Sequence, residues 1–375
     1  MPIKAGWQGH DSGVFMVWGK EDLFFMRRCL FLARKGEGKV SPNPMVGAVL
    51  ARNGRIIGEG FHGRFGSPHA EVNAMQGKNC PGATLYVSLE PCSHSSPGKK
   101  TPPCAPMIAS SGIRRAVIAT PDPNPEVSGR GIALLRKSGI KTEVGILSSE
   151  ARGQNEAFFK FMETGKPFVA LKMAQSADGK IGVRGKGGVR ISGKEFNRYA
   201  QRLRNRYDAI LAGIGTVLAD DPRLTCRMGG GRNPARIVLD SHLRIPLSAR
   251  VLSNAKKERV IVATSARHGL KKAKALRSMG VKVIVCGKRR PSLRALFSRL
   301  PPLGIISVLV EGGATIAEAA LSEKLADRAI ICMSRKKLGE KNTVPSPFSK
   351  PGWKRPLSRL KKTRMGRDTA YEGRL

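Results

Sequence analysis

Acid is scarce in this chain. It carries 27 Asp and Glu against 67 Lys and Arg over 375 residues, a formal net charge of +40. A field of that sign draws anions and polyanions. The basic residues are spread along the whole chain and not gathered into one arm, so their number alone specifies no docking face. Aromatics are scarce too, at 5%. No stretch interleaves them with basic residues, which argues against a base-stacking nucleic-acid surface. Cysteines are few and odd in number: Cys29, Cys80, Cys92, Cys104, Cys226, Cys286 and Cys332. Their scattered spacing makes no disulfide framework and points to a reducing, cytoplasmic compartment. No apolar run is long enough to span a bilayer, so no membrane association is expected. Residues 1–19 lack a continuous apolar core with a cleavage site, and no secretory leader is expected there. They are Gly-rich and patternless, and read as an extension without a fold of its own.

What is present suits two domains of ordinary size. Hydrophobic residues make up 41%, enough for two cores. "EDLFFMRRCLFLARKGEG" reads as a helix, acidic at its start and basic at its end. "VGAVLARNGRIIGEG" reads as two strands joined by Asn53-Gly54, a strong hairpin signal. A short helix opens in "HAE". "ATLYVSLE", "RRAVIAT" and "KTEVGI" read as strands, alternating with the helices "APMIASSG" and "GIALLRKSG". Such alternation implies a sheet covered by helices. Residues 20–147 are assigned to this first domain. A second, residues 166–375, opens with "PFVALKMAQSADGKI", a strand running into a loop, and carries further strands in "AILAGIGTVLADDP", "ARIVLDS", "RVIVATS", "VKVIVCG", "ISVLVEGG" and "RAIICMS", with helices between several of them. One more strand is expected near "TAYEGRL". Both domains are of the α/β class.

The chemistry concentrates in "SPHAEVNAM" and two cysteines downstream of it. His69, Cys92 and Cys104 are soft donors of the kind zinc takes, and a catalytic zinc keeps a fourth position for water. Glu71, two residues past His69, stands beside that position without being a ligand. It would accept the water's proton and pass it to a departing amine. Cys104 follows a Pro-Pro pair just before a helix, where the helix N-terminus favours thiolate. His-x-Glu, then Pro-Cys, then a second Cys is the zinc-deaminase pattern.

The run "SPNPMVGAVL", "PHAEVNAM", "VSLEPCSH", "TPPC" and "PDPNP" resembles the deaminase half of the bifunctional riboflavin-biosynthesis deaminase/reductase family. Transfer-RNA adenosine deaminases also carry HAE, but with a tight Cys-x-x-Cys; here eleven residues separate Cys92 from Cys104. The loop between them is longer than the family's, with "SSPGKK" inserted. The resemblance implies a cytidine-deaminase-like three-layer α/β/α domain, followed by a dihydrofolate-reductase-like α/β domain that uses NADPH. It implies zinc-dependent deamination of 2,5-diamino-6-ribosylamino-4(3H)-pyrimidinone 5′-phosphate and then reduction of the ribosyl chain to a ribityl chain. It also implies that Asn43 contacts the substrate; the residue reads equally well as an Asx-turn before a proline. His94 matches the family's loop without an assigned role.

The second half matches in "LKMAQSADGKI", "GTVLADDPRLTCR", "ARIVLDS" and "LVEGGATI". "LVEGGATIAEAAL" is strand, glycine pair and helix, a turn that lets backbone N–H groups approach a phosphate. A tight connection is an equally ordinary use of such a pair. The resemblance implies cofactor contacts at Ala174, Arg190, Thr216, Asp220, Gly313, Ala314, Thr315 and Ile316. It implies substrate contacts at Arg204, Leu224, Arg227 and Glu311. Arg204 and Arg227 would hold the substrate phosphate, for which a guanidinium fork is suited. Glu311, a buried strand-end acid, needs a partner, which the pyrimidine would provide.

The departures gather in "KGGVRIS", residues 186–192. Gly188 stands where the family has a serine, and Arg190 where it has a tryptophan lining the cofactor. These departures leave open a deaminase whose reductase half has decayed, and the +40 charge with HAE leaves open a nucleic-acid-editing deaminase. The expected partner is a small pyrimidine nucleotide, with no specific nucleic acid, and a homo-oligomer is expected.

Overall fold

A computed structural model describes residues 18–94, 101–185, 187–350, 352 and 359–375. It divides into a first unit ending at Gly165 and a second starting at Lys166. The extension, up to residue 17, and the loop insertion at 95–100 lie outside the described residues.

In the first unit the chain runs α1 (Lys20–Ala33), β1 (Gly47–Arg52), β2 (Arg55–Phe61), α2 (Ala70–Met75), β3 (Thr84–Val87), α3 (Cys104–Ala109), β4 (Arg115–Ile118), α4 (Arg130–Lys137), β5 (Lys141–Val144), α5 (Ser148–Gln154) and α6 (Glu156–Thr164). The sheet order is β2-β1-β3-β4-β5. β1 is antiparallel to β2 and β3, whereas β3, β4 and β5 are parallel. Strand side chains alternate between faces. Ala48, Leu50, Leu85, Val87, Ala116 and Ile118 pack with α2, α3 and α4. Val49, Tyr86 and Val117 pack with α1 and α5. Two cores on one sheet make three layers. Asn53 and Gly54 turn the hairpin, both at positive φ (51° and 71°). On β2, a Cβ at Gly60 would strike the Ala70 carbonyl oxygen. The missing side chain lets α2 lie directly on the strand, which seats His69 and Glu71 against the sheet.

Residues 148–165, left between the two domains by the sequence reading, form α5 and α6 and belong to the first unit. Phe158 and Phe159 pack with Leu89. The Asn155 carboxamide clamps Met45, accepting from its N–H and donating to its carbonyl, both at 2.8 Å.

The second unit runs β6 (Phe168–Gln175), β7 (Lys180–Val183), α7 (Lys194–Arg206), β8 (Ala209–Gly213), α8 (Ile214–Asp220), β9 (Ala235–Leu239), β10 (Val260–Thr264), α9 (Leu270–Ser278), β11 (Lys282–Val285), α10 (Leu293–Phe297), β12 (Ser307–Glu311), α11 (Ala314–Ser322), β13 (Arg328–Met333), β14 (Thr343–Pro345), β15 (Lys361–Met365) and β16 (Asp368–Arg374). Nine strands form one sheet in the order β11-β10-β9-β8-β12-β6-β13-β16-β15, and β7 pairs with β14 separately. The strands from β11 to β13 are mutually parallel; β16 and β15 add antiparallel at the edge. Every residue of β10 and β12 is buried. Helices on both faces explain why these strands read as unbroken apolar runs. α7 buries Phe196, Ala200 and Leu203, one face at helical spacing. Because β8 and β12 are parallel neighbours, α8 and α11 start side by side at the sheet's carboxyl end, where open α/β sheets bind ligands. Among the described residues no helix is long and apolar enough to cross a membrane.

Candidate active sites

His69 stands just ahead of α2 in extended backbone (φ −74°, ψ 166°), and Glu71 sits in the first turn, 3% exposed. Cys104 opens α3 and is buried; Cys92 reaches the same point from beyond β3. His69 Nδ1 lies 3.5 Å from Cys92 Sγ and 3.3 Å from Cys104 Sγ. One ligand atom from each residue falls within 4.8 Å of the others. The Cys104 N–H donates to Cys92 Sγ at 3.4 Å, and the Ala105 N–H to the Cys92 carbonyl at 3.0 Å, so the backbone fixes the two thiols together. On the far side of the imidazole, Nε2 is 3.0 Å from Thr101 Oγ1. A partner there sets the ring's orientation, the usual outer support of a metal-binding histidine.

The electrostatics agree with this donor set. Hydrogen bonds with Cys104 and then His69 outweigh burial and hold the Cys92 thiol well below its ordinary value. Burial pushes the Glu71 carboxyl up to about 7. Glu71 Oε2 is buried without a hydrogen-bond partner. Three converging soft donors beside an orphaned carboxylate oxygen fit a zinc with three protein ligands and one open position.

His69, Glu71 and Cys92 line a cavity of about 290 Å³ together with Asn43, His62, Asp122, Asn124 and Phe158. The His62 Nδ1–H donates to the Pro68 carbonyl at 3.2 Å, leaving Nε2 to accept from Asn43 Nδ2 at 3.2 Å. Burial lowers the His62 pKa, which keeps the ring neutral in that role. Asn43 is therefore oriented by a histidine within the cavity wall. Burial pushes Asp122 up to about 7, and its Oδ1 accepts from the Asn124 N–H at 2.8 Å. Glu90 belongs to the same wall and is 3% exposed. Its Oε1 accepts from the N–H groups of Gly131 and Ile132 at 2.9 and 3.1 Å. Its Oε2 accepts from those of Asp122 and Gly129 at 3.1 and 3.0 Å. One carboxylate thus caps α4 and anchors the segment carrying Asp122. His94 also lines the cavity, with Nε2 3.6 Å from Glu126 Oε2.

In the second unit Arg204 donates Nε and Nη2 to the two oxygens of Glu311, both at 2.8 Å, and Nη1 to the Thr225 carbonyl at 3.1 Å. Lys172 Nζ is 3.6 Å from Glu311 Oε2. Burial alone would raise the Glu311 carboxyl; Lys172 and Arg204 outweigh it and bring it down to about 2. The sequence reading gives Glu311 the pyrimidine as partner and Arg204 the phosphate; within the fold the two side chains pair with each other, with Lys172 beside them. Two protein cations already partner the acid, and three of Arg204's N–H donors are engaged. The Arg227 N–H donates to Gln201 Oε1 at 2.9 Å, and its side chain is exposed. Leu224 is buried at φ 52°, a left-handed conformation uncommon for leucine. Arg204's bond to Thr225 places Leu224 and Arg227 in the segment that borders the Arg204–Glu311 pair.

The expected cofactor residues gather where β8 and β12 end. Gly313 (φ 81°) precedes α11, and Ala314, Thr315 and Ile316 make its first turn. Side chains at Gly312 or Gly213 would press on Thr216 and Ile316 respectively, so the two turns are in close contact. Asp220 Oδ1 accepts from the Gly188 N–H at 2.7 Å, which brings the departing "KGGVRIS" segment to the same place. Gly188 holds φ 70°, a conformation that suits glycine better than serine. Arg190 is exposed, and its carbonyl accepts from Lys336 Nζ at 3.0 Å. Ala174 lies farther along the sheet, on β6 opposite Cys332 of β13.

Residues 20–120 match the family described as cytidine and deoxycytidylate deaminase zinc-binding region, and residues 167–370 match the RibD C-terminal domain. The chain belongs to the RibD family. The riboflavin biosynthesis protein RibD of Actinobacillus pleuropneumoniae is 40% identical over 324 residues, 85% of each chain. Acinetobacter baumannii RibD superposes with a TM-score of 0.81 at 34% identity, over 94% of this chain and 98% of that one. The Thermotoga maritima diaminohydroxyphosphoribosylaminopyrimidine deaminase/5-amino-6-(5-phosphoribosylamino)uracil reductase gives 0.80 at 37% identity with the same coverage. The first unit is cytidine-deaminase-like, and the second is the dihydrofolate-reductase-like domain of this family.

Sequence reasoning passes over His62, Thr101, Glu90 and Lys172. The motifs "PDPNP" and "LKMAQS" contain Asp122, Asn124 and Lys172, so a signal for these three exists. Thr101 and Glu90 likewise stand in "TPPC" and "VSLEPCSH". His62 has no local signal, because it acts on Asn43, which only the fold brings near.

Proposed function

We propose that the chain is a bifunctional enzyme of riboflavin biosynthesis. Its first unit deaminates 2,5-diamino-6-ribosylamino-4(3H)-pyrimidinone 5′-phosphate. Its second reduces the ribosyl product with NADPH to 5-amino-6-(5-phosphoribitylamino)uracil. The observation that carries the first step is the convergence of His69, Cys92 and Cys104 beside the orphaned Glu71 oxygen in one cavity. His69 Nδ1, Cys92 Sγ and Cys104 Sγ would hold the zinc, which would supply the Lewis acidity that makes water nucleophilic near neutral pH. Glu71 Oε2 takes the proton of the attacking water and delivers it to the departing amine, which leaves as ammonia. A carboxyl raised to about 7 is matched to both halves of that transfer. Asn43, oriented by His62, and Asn124 supply amide groups to the pyrimidine edge.

For the second step, NADPH held at the carboxyl end of the sheet would supply the hydride, and solvent the proton, that reduce the opened ribose. The paired starts of α8 and α11 present backbone N–H groups to the cofactor's phosphates. Glu311, pinned by Arg204 and Lys172, presents a fixed carboxylate at the carboxyl end of β12 to the substrate. Preorganisation of this kind lowers the cost of orientation. The reading further places the enzyme in the cytoplasm as a homo-oligomer acting on a small nucleotide; the odd number and scattered spacing of its cysteines support the reducing compartment. The test is Cys92→Ser. It should lose zinc and deamination while still reducing substrate that has already been deaminated. Loss of both activities together would contradict two separable sites.

A further inference from the structure

The longest stretch without acid runs from Arg259 to Val310 and has no assigned role. It holds twelve Lys and Arg and not one Asp or Glu, although it is only about a seventh of the chain. The fold gathers what the sequence spreads. Its cations all fall between Arg259 and Arg299, in and around β10, α9, β11 and α10 at the parallel edge of the nine-stranded sheet, with β11 outermost. Because β10 and β11 are parallel, the turns after them emerge at one end. The Ala266 N–H donates to the Gly287 carbonyl at 2.8 Å and ties those turns together. Gly287 approaches the Arg290 carbonyl so closely that a Cβ would collide with it, so Lys288, Arg289 and Arg290 project from a tight turn. Lys271, Lys274 and Arg277 of α9 are exposed, as are those three.

Elsewhere several arginines are neutralised: Arg115 by Asp22 and Glu143, Arg28 by Glu59, Arg236 by Glu258, Arg328 by Glu372. Among the described residues none of these twelve cations forms an ion pair. α9 also has no acid in its first turn and places Lys271 and Lys272 there, against the helix's own dipole. Such an arrangement opposes stability unless an anion covers it.

We propose that α9 and the Lys288–Arg290 turn form a docking surface for the phosphate backbone of a nucleic-acid duplex. Closely spaced phosphates need only cations, and that is what the surface offers. No aromatic is exposed there for base stacking, since Phe297 is buried, so binding is independent of sequence. α9 turns Ala273 and Leu276 into the core and exposes Leu270 alone, too little apolar surface to enter a bilayer. The same poverty of apolar anchors disfavours a protein partner.

The cofactor crevice is the nearest competing explanation, because it lies at the same end of the sheet, two strands from β10. The test therefore uses the full chain and leaves Arg267 intact, in the turn directly after β10. A labelled duplex of arbitrary sequence is titrated at several salt concentrations, with and without saturating NADPH. Wild type is compared with a variant carrying Lys271→Gln, Lys274→Gln, Arg277→Gln, Lys288→Gln, Arg289→Gln and Arg290→Gln. A second variant exchanges Lys for Arg and Arg for Lys at the same six positions. The proposal expects wild-type binding that NADPH does not displace. It expects the neutralised variant to bind at least about a hundredfold more weakly at low salt, with a salt dependence flatter by about 0.9 for each phosphate it no longer neutralises. The exchanged variant should bind as wild type does, and deaminase turnover should be unchanged in both. An equal salt slope in the neutralised variant would assign the binding to the chain's general charge and overturn the proposal. So would displacement by NADPH, or tighter binding to anionic vesicles than to the duplex.

Discussion

Glu90→Gln should unlatch one wall of the deaminase cavity without touching the metal ligands. The buried carboxylate accepts four backbone N–H bonds, two on each oxygen. Glutamine keeps one oxygen and turns the other into a donor. Either orientation of the amide sets an N–H₂ against two N–H groups, those of Asp122 and Gly129 or those of Gly131 and Ile132. Hydrogen bonds to a charged group contribute about 1.5–3 kcal/mol each, so losing two costs about 3–6 kcal/mol. The lost negative charge at the start of α4 adds to this in the same direction. The assay is native-state hydrogen exchange at the Gly131 and Ile132 amides. Protection there should fall by roughly a hundredfold or more, since about 1.4 kcal/mol is tenfold. Zinc content should stay at wild type, and KM for the pyrimidine should rise because Asp122 and Asn124 are no longer held. Glu150→Gln, at an exposed glutamate, is the control and should move stability by less than about 0.5 kcal/mol. If Glu90→Gln costs no more than that control, the four-bond cap is not what holds the wall.

Glu71→Gln should keep zinc and lose about 10²–10⁴ of the deamination rate, because the ligands remain and the proton carrier does not; a variant as fast as wild type would remove Glu71 from the mechanism. Thr101→Val should weaken zinc binding about 10–100-fold in a chelator competition, through loss of the partner to His69 Nε2; unchanged affinity would show that the imidazole is oriented by other groups. The Glu311 carboxyl is lowered from its ordinary 4.5 to about 2 in the folded chain, so it stabilises above about pH 4.5 and that contribution disappears as pH falls toward 2. Compared with Glu311→Gln, wild type should therefore lose its advantage across that interval in urea melts of the second unit; a constant difference from pH 6 to pH 2 would contradict the ion pair.

The parts of this fold that are legible in the sequence are those where one segment carries its own signal. Asn53-Gly54 turns the first hairpin as read, both residues at positive φ. Lys20–Ala33 is readable from acids at the helix start and an apolar face. The buried strands of the second unit announce themselves as apolar runs. β15 does not: its Lys361, Lys362 and Arg364 are exposed, and it exists because β16 offers it a backbone ladder. β7 and β14 are too short to show a period and stabilise each other. α5 and α6 escape the reading because each is short and Asn155 separates them, while the apolar residues that dock α6 are few, Phe158 and Phe159 with Met162 beside them. At the sites, ligand types and order are readable because they are chemistry. Partnerships are not: Arg204 and Glu311 are separated by 107 positions. Only the parallel register of β8 and β12, beside the helix that carries Arg204, brings that pair together.

The most direct test of the central claim is mass analysis of products from the zinc-loaded full chain and the diaminopyrimidine ribosylamine phosphate, run with and without NADPH. Without NADPH the substrate should exchange its amine for oxygen and stop there. With NADPH the same product should gain two hydrogens in its ribose-derived chain while the nicotinamide is oxidised in equal amount. Exchange of the amine with no hydrogen gained, at any NADPH concentration, would contradict the bifunctional account and leave a deaminase whose second domain, with Gly188 and Arg190 in its cofactor segment, no longer reduces. An unaltered substrate in both arms would contradict the assignment of the first site itself.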